Sequence, residues 1–276
     1  MKKFLLVTLF LAYFNLFSSQ VFCEVKQHKF VFVVTSYNNI NFYEKNLSSI
    51  FSQKNKNFRL IYIDDASTDN TYEAVDCWLK NHNFCDQTIL IKREKNLGGL
   101  QNIYEACHKC SNDEIICLVD GDDWLASNDV LDILESYYNN GAWLTYGQFI
   151  HHPSAKLGLC SEYSKEELIS QKTRSLPWRC SHLKTFYAGL FKKIKKEDLV
   201  YDDQFITSAT DLAIMFPMLD MATTNVRYIP EILYVYNNQN PLSHHQIRHD
   251  KQRFFRDLIR SKKVYTQLTS FDSSND

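Results

Sequence analysis

Residues Ile116 to Ser127 read ICLVDGDDWLAS, an apolar run that ends on three carboxylates in four positions, Asp120, Asp122 and Asp123. Like charges packed this closely repel one another. Two arrangements relieve them. One is a hard divalent cation, Mg²⁺ or Mn²⁺, which prefers carboxylate and phosphate oxygens and is commonly held by one or two protein carboxylates plus a substrate diphosphate. The other is local: Asp122 and Asp123 cap the following helix, with Asp129 and Asp132 as surface charge. A D-x-D triplet alone does not choose between them.

Other polar groups end comparable apolar runs. KFVFVVT (Lys29 to Thr35) runs into Ser36-Tyr37-Asn38-Asn39, and RLIYI (Arg59 to Ile63) ends on Asp64-Asp65. Short runs rich in β-branched and aromatic residues predict buried strands, as do TILIK (Thr88 to Lys92) and Ile115 to Val119. Helical spacing separates them. Leu47, Ile50 and Phe51 mark a first helix, TYEAVDCWLKN a second that Ser67 or Asp69 can cap, and Leu100, Ile103, Tyr104 and Cys107 a third that follows Asn96-Leu97-Gly98-Gly99. This alternation predicts an α/β fold, with a mainly parallel central sheet and helices on both faces. In such sheets ligands bind at the carboxyl ends of the strands. Thr35 to Tyr37, Asp64-Asp65 and Asp120 to Asp123 all fall on that edge.

The second half is less regular. Thr145 to Ile150 predicts a strand, Lys165 to Gln171 a short helix, Asp211 to Met221 an apolar helix with a proline inside, Tyr228 to Tyr236 an extended segment, and Gln246 to Leu268 a charged helix. Leu176 to Lys196 is aromatic and basic. No repeat or low-complexity linker divides the chain, so the halves 24–145 and 146–276 are expected to share one compact domain.

The net charge of −1 gives no basis for binding nucleic acid. At the N-terminus, MKK precedes FLLVTLFLAYFNLF and then SSQVFC, so residues 1–23 read as a secretory signal peptide or, through the uncharged window 4–23, as a signal-anchor that associates with a membrane. Eight cysteines suit export without requiring disulfides, and the one C-x-x-C, Cys107 to Cys110, lacks the second pair of a zinc site.

Taken in order, VVTSYNN, LSSIFSQ, LIYIDDASTDNT, NLGGLQNI and LVDGDDWL resemble the motif series of the family 2 glycosyltransferases, whose catalytic domain has the GT-A fold. The resemblance covers the chain up to Trp124 and implies an inverting, metal-assisted transfer of a sugar from a nucleotide-diphosphate donor, a UDP-sugar favoured, to a hydroxyl of a glycan, lipid or protein. It implies that Thr35, Tyr37 and Asp65 contact base and ribose, with Gly98 in the donor loop. Asp120 and Asp122 match the DxD pair, Asp122 being the expected direct ligand of Mn²⁺ or Mg²⁺ and Asp123 the alternative in a shifted register.

Family members that invert carry a carboxylate base in an E-D pair opening a later helix. Here SATDLAIMF has Thr210 where the Glu is usual and Asp211 where the base stands, a position that also suits a helix cap. Trp178, Arg179, Ser181 and His182 lie where the family places its variable acceptor region; either Trp178 stacks on a sugar and Arg179 binds a phosphate, or the two are a packed aromatic and a solvated arginine. His244 and His245 stand where some relatives have a late histidine that reaches the metal or diphosphate, the alternative being surface histidines. A non-catalytic sugar- or nucleotide-binding protein on the same fold is the alternative. Walker-type and GxSxG chemistries lack their motifs.

Overall fold

The computed structural model describes residues 27–241 and 249–269. The expected N-terminal segment 1–23 and His244 lie outside them. Among the described residues no helix is long and apolar enough to cross a membrane.

Ten strands and nine helices follow one another among the described residues. The first half contains β1 (Phe30–Ser36), α1 (Tyr43–Phe51), β2 (Phe58–Asp64), α2 (Thr71–Asn81), β3 (Thr88–Lys92), α3 (Gly99–His108), β4 (Ile115–Asp120), β5 (Trp124–Leu125) and α4 (Val130–Asn139). The second contains β6 (Leu144–His152), α5 (Lys165–Ile169), β7 (Lys184–Tyr187), α6 (Ala188–Lys192), α7 (Lys196–Leu199), β8 (Val200–Tyr201), β9 (Gln204–Phe205), α8 (Thr210–Ala222), β10 (Val226–Asn237) and α9 (His249–Ser261).

Eight strands form one sheet in the order β3-β2-β1-β4-β7-β6-β10-β5. β1 and β4 are apolar on both faces because the sheet is covered on both, which is why their sequences run continuously hydrophobic instead of alternating. The β3-β2-β1-β4 block is parallel, as expected. α1 packs on α2, and α3 on α6, which packs on α8. With right-handed crossovers these two groups occupy opposite faces, and the winding reverses between β1 and β4.

Beyond β4 the sheet turns mixed. β7 lies antiparallel between β4 and β6, and β5 pairs antiparallel with β10. The two expected halves therefore share one sheet, and a division between residues 145 and 146 falls inside β6. The charged C-terminal helix is shorter than the expected Gln246–Leu268: it ends at Ser261. There the chain turns back, and the Tyr265 hydroxyl donates to Asp198 at 2.5 Å and accepts the Lys195 amide at 2.9 Å. Cys77, Cys85, Cys107, Cys110, Cys117, Cys160 and Cys180 are free thiols.

α8 is buried along nearly its whole length, Pro217 included. A buried ion pair ties it to α9: Arg174 donates to Asp220 Oδ2 through Nε at 3.1 Å and Nη2 at 2.8 Å, and through Nη1 to the Ile259 carbonyl at 2.9 Å. Removing one partner of a buried pair strands the other charge. Arg174→Ala is accordingly expected to cost about 3–5 kcal/mol, read as a fall in the denaturant midpoint; a loss under about 1 kcal/mol would contradict it.

Candidate active site

The register levels the strand ends. Thr35 pairs with Ile63 on one side and Asp120 on the other, and Ser36 pairs with Asp64, so the polar tails of β1, β2 and β4 share one edge beside the point where the winding reverses. Gly121 follows directly. A Cβ there would lie 2.7 Å from the Ser36 side chain and from Asn39 Nδ2, so the chain after β4 passes too close to the β1 loop for any other residue. Tyr37 stands exposed at 42% on that loop.

Asp65 follows directly on β2. It is 4% exposed, and its two carboxylate oxygens accept the Leu97 and Gly98 amides at 2.8 Å each. The carboxylate braces the Asn96–Gly99 loop. Gly98 has φ +83°, a left-handed conformation that glycine adopts without strain. The next residue, Gly99, would place a Cβ 3.8 Å from Thr35 Oγ1, which puts the loop beside the β1 end. Asp69 meets the capping expectation in part by accepting the Thr71 amide at 3.0 Å, whereas Ser67 accepts the Asn38 amide.

The three aspartates are sorted by their partners. Asp120 is exposed at the tip of β4. Asp122 is half-buried, accepts from Asn240 Nδ2 at 2.8 Å, and its carboxyl is pushed up to about 6 by burial and then by the Asp120 charge. Asp123 is 1% exposed and accepts the Tyr234 hydroxyl at 2.8 Å and the Asn237 amide at 2.7 Å. Burial first, then Asp122 and Asp120, drive its pKa up. Asn46 Nδ2 donates to the carbonyls of Asp120 and Asp123 at 3.0 and 2.8 Å, fixing the turn. Neither Asp122 nor Asp123 caps α4, whose N-cap is Asp129.

One ligand atom each from Asp120, Asp123 and His182 lie within 4.8 Å of one another, an arrangement able to hold a metal ion. Asp122, the ligand expected from the motif, is turned toward Asn240 instead. His182 stacks on Tyr234 with ring centres 4.6 Å apart and 8° between planes. Sequence reasoning places His182 with the acceptor region; no local pattern joins it to Asp120 across 62 positions.

A cavity of about 620 Å³ opens beside this cluster, with His182, Asp211 and Trp178 among its lining residues. Asp211 occupies the first turn of α8, whose N-cap is Ala209 with φ +54°, so the carboxylate is not the cap. Trp178 packs edge-on against Phe216 with centres 5.4 Å apart. Arg179 departs from expectation: it forks onto Glu167 at 2.9 and 3.2 Å, lies over the Tyr163 ring, and is not part of the cavity wall. Its guanidinium is spent on the capping-box glutamate of α5.

Comparison with known proteins fits this geometry. The sequence profile described as Glycosyl transferase family 2 matches residues 31–199. Abequosyltransferase RfbV of Salmonella typhimurium is 32% identical over 114 residues, 40% of this chain and 33% of its own. The poly-beta-1,6-N-acetyl-D-glucosamine synthase of Staphylococcus epidermidis is 26% identical over 208 residues, 73% of this chain and 48% of its own. The chain thus spans about a third to a half of these relatives' length. Among solved structures, S. aureus TarS 1-349 in complex with UDP-GlcNAc superimposes with a TM-score of 0.58 at 19% identity, covering 77% of this chain and 59% of that one. Mannosyltransferase PcManGT from Pyrobaculum calidifontis, in complex with GDP-Man and Mn²⁺, gives 0.54 at 17% identity, covering 76% of this chain and 57% of its own. These likenesses establish a shared fold, the GT-A fold expected from the motifs. The profile takes in the strand edge, the acidic cluster and His182, and stops short of Asp211. A match over more than half of the sequence makes this chain a member of glycosyl transferase family 2.

Proposed function

We propose that the chain transfers a sugar from a nucleotide-diphosphate donor, a UDP-sugar favoured, to a hydroxyl of a glycan, lipid or protein acceptor with inversion at the anomeric carbon. The observation that carries this reading is a single edge bearing both halves of the chemistry. His182 belongs to the Asp120/Asp123 cluster and also to the cavity wall that includes Asp211.

Thr35, Tyr37 and Gly98 surround the place for the nucleotide, with Asp65 holding the Gly98 loop in position. Two carboxylates and an imidazole form a mixed oxygen and nitrogen donor set, which suits Mn²⁺ better than Mg²⁺. A cation bound there supplies electrostatic stabilisation to the diphosphate as the glycosidic bond breaks. Asp120 and Asp123 provide the charge, His182 orients from the cavity side, and Asp122 stays on Asn240. On the cavity side, an Asp211 carboxylate oxygen accepts the proton of the attacking acceptor hydroxyl. Trp178 and the apolar wall around it exclude water from that attack. Support for UDP comes from TarS, whose structures hold UDP and UDP-GlcNAc; the GDP-Man complex of PcManGT keeps a guanosine donor as the second choice.

Residues 1–23 are assigned here to export or anchoring, which an intact mass beginning near Glu24 would distinguish. The activity itself is tested by thermal shift with UDP-, GDP- and dTDP-sugars, with and without Mn²⁺. A midpoint rise of several degrees that needs both nucleotide and cation is expected. If no donor raises the midpoint with Mn²⁺ present, the reading fails.

A further inference from the structure

One wall of the cavity plays no part in the chemistry above. It is formed by α9. Of the fifteen described residues lining the cavity, Asp211 is the sole carboxylate, while Arg253, Arg256 and Arg260 all come from α9. At about 100° per residue, Gln252, Arg253, Arg256 and Arg260 fall within roughly 100° of arc, so they form one face. The helix is held along the adjoining stripe, where Phe255 and Ile259 are buried. Its acids, Asp250 and Asp257, are not among the lining residues.

A basic face on an exposed helix is ordinarily solvated. Three features distinguish this one. It borders a concave space instead of a convex surface, it carries a surplus of two positive charges over the Asp211 carboxylate, and its backbone position is fixed by the hydrogen bond from buried Arg174 to the Ile259 carbonyl. The three arginines are also unequal. Arg260 is committed through Nη1 to the carbonyls of Arg174 and Leu176. Arg256 meets Asp257 through Nε alone, in an exposed pair of little strength, which leaves the outer fork of its guanidinium available. Arg253 is exposed. Guanidinium forks match phosphate and carboxylate oxygens two at a time.

We propose that this wall binds an oxyanion, phosphate or carboxylate, carried by the acceptor, so that the enzyme takes an acidic acceptor and Arg253 and Arg256 determine that specificity. The proposal rests on the transferase reading in one respect: Asp211 marks where the acceptor hydroxyl sits. The aromatic walls, Trp178 and Tyr236, would receive the sugar or polyol between that hydroxyl and the anion.

The test titrates the full chain, with saturating UDP and Mn²⁺, by ligand-observed NMR with glucose, glucose 6-phosphate and glucuronate. The saturating nucleotide keeps glucose 6-phosphate out of the donor diphosphate position. At least one acidic probe is expected to bind tenfold or more tightly than glucose, and its identity tells phosphate from carboxylate. The double variant Arg253→Gln with Arg256→Gln is expected to abolish that difference while holding UDP as the parent does; Asp211→Asn is expected to leave it intact. The proposal is overturned if the three probes bind alike, if the double variant still prefers the acidic probe, or if it loses UDP in parallel, which would assign the arginines to the donor. A parent that binds no UDP sinks the transferase reading, and the probe preference and its loss in the double variant decide the anionic wall in that case as well.

Discussion

Asp211→Asn is expected to lower the rate of transfer by about 10²–10⁴-fold, the range a positioned general base contributes, while the nucleotide- and Mn²⁺-dependent thermal shift stays at the parental value. The substitution keeps the size and one oxygen of the side chain. It also leaves the start of α8 intact, because the cap position belongs to Ala209 and no side chain caps that helix. A fall in activity therefore reports on proton acceptance and not on a frayed helix. Retention of more than a tenth of the parental rate would remove Asp211 from the reaction, as would an equal loss of donor binding.

Asp120→Asn is the second large effect, an expected loss of about 10²–10³-fold in rate, the size seen when one element of electrostatic stabilisation is removed, together with loss of the cation-dependent rise in the thermal midpoint. The acidic cluster carries a pH signature too. Asp122 has its carboxyl pushed up to about 6 in the fold, against an ordinary value of 3.8. The folded protein thus holds a proton that the unfolded chain releases, and the stability linked to that proton is present below pH 3.8 and lost as pH rises through about 6. Asp122→Asn removes the dependence. Its stability relative to the parent, without added metal, should be unchanged at the acid end of that window and should grow across it to about 3 kcal/mol near neutral pH, because holding a carboxyl tenfold further from its ordinary proton affinity costs about 1.4 kcal/mol. Denaturant unfolding at a series of pH values measures it; a difference that is flat with pH would show that Asp122 is not strained by its neighbours. Mn²⁺ should narrow the gap on the alkaline side by compensating the charge of the parent cluster.

What is legible in the sequence follows from how local each signal is. β1, β2, β3 and β4 are readable within a residue at each end because their apolar runs stop on polar groups, and the same stops place Thr35, Asp65 and Asp120 on one edge. β7 is not readable. Its four residues lie inside the aromatic and basic stretch 176–196, and it becomes a strand only by pairing with β4 and β6, far away in the chain. Non-local pairing also hides the metal-side geometry: Tyr234, Asn237 and Asn240 settle which way Asp122 and Asp123 point, and they stand more than 110 residues from the cluster. Arg179 escapes the sequence reading because Glu167, its partner, is legible only as a helix-starting acid. The arginines of α9 are visible as helix charge, but a charged helix gives no sign of which face borders a cavity.

The level ends of β1, β2 and β4 limit how this chain can change over generations. Because side chains alternate along a strand, adding or deleting one residue before Thr35, Asp64 or Asp120 would turn that tail to the wrong face. Length can vary only in the crossovers between strands and in the segments that wall the cavity. New acceptors are therefore reached by insertion and deletion downstream of β5, with the nucleotide edge left at constant length.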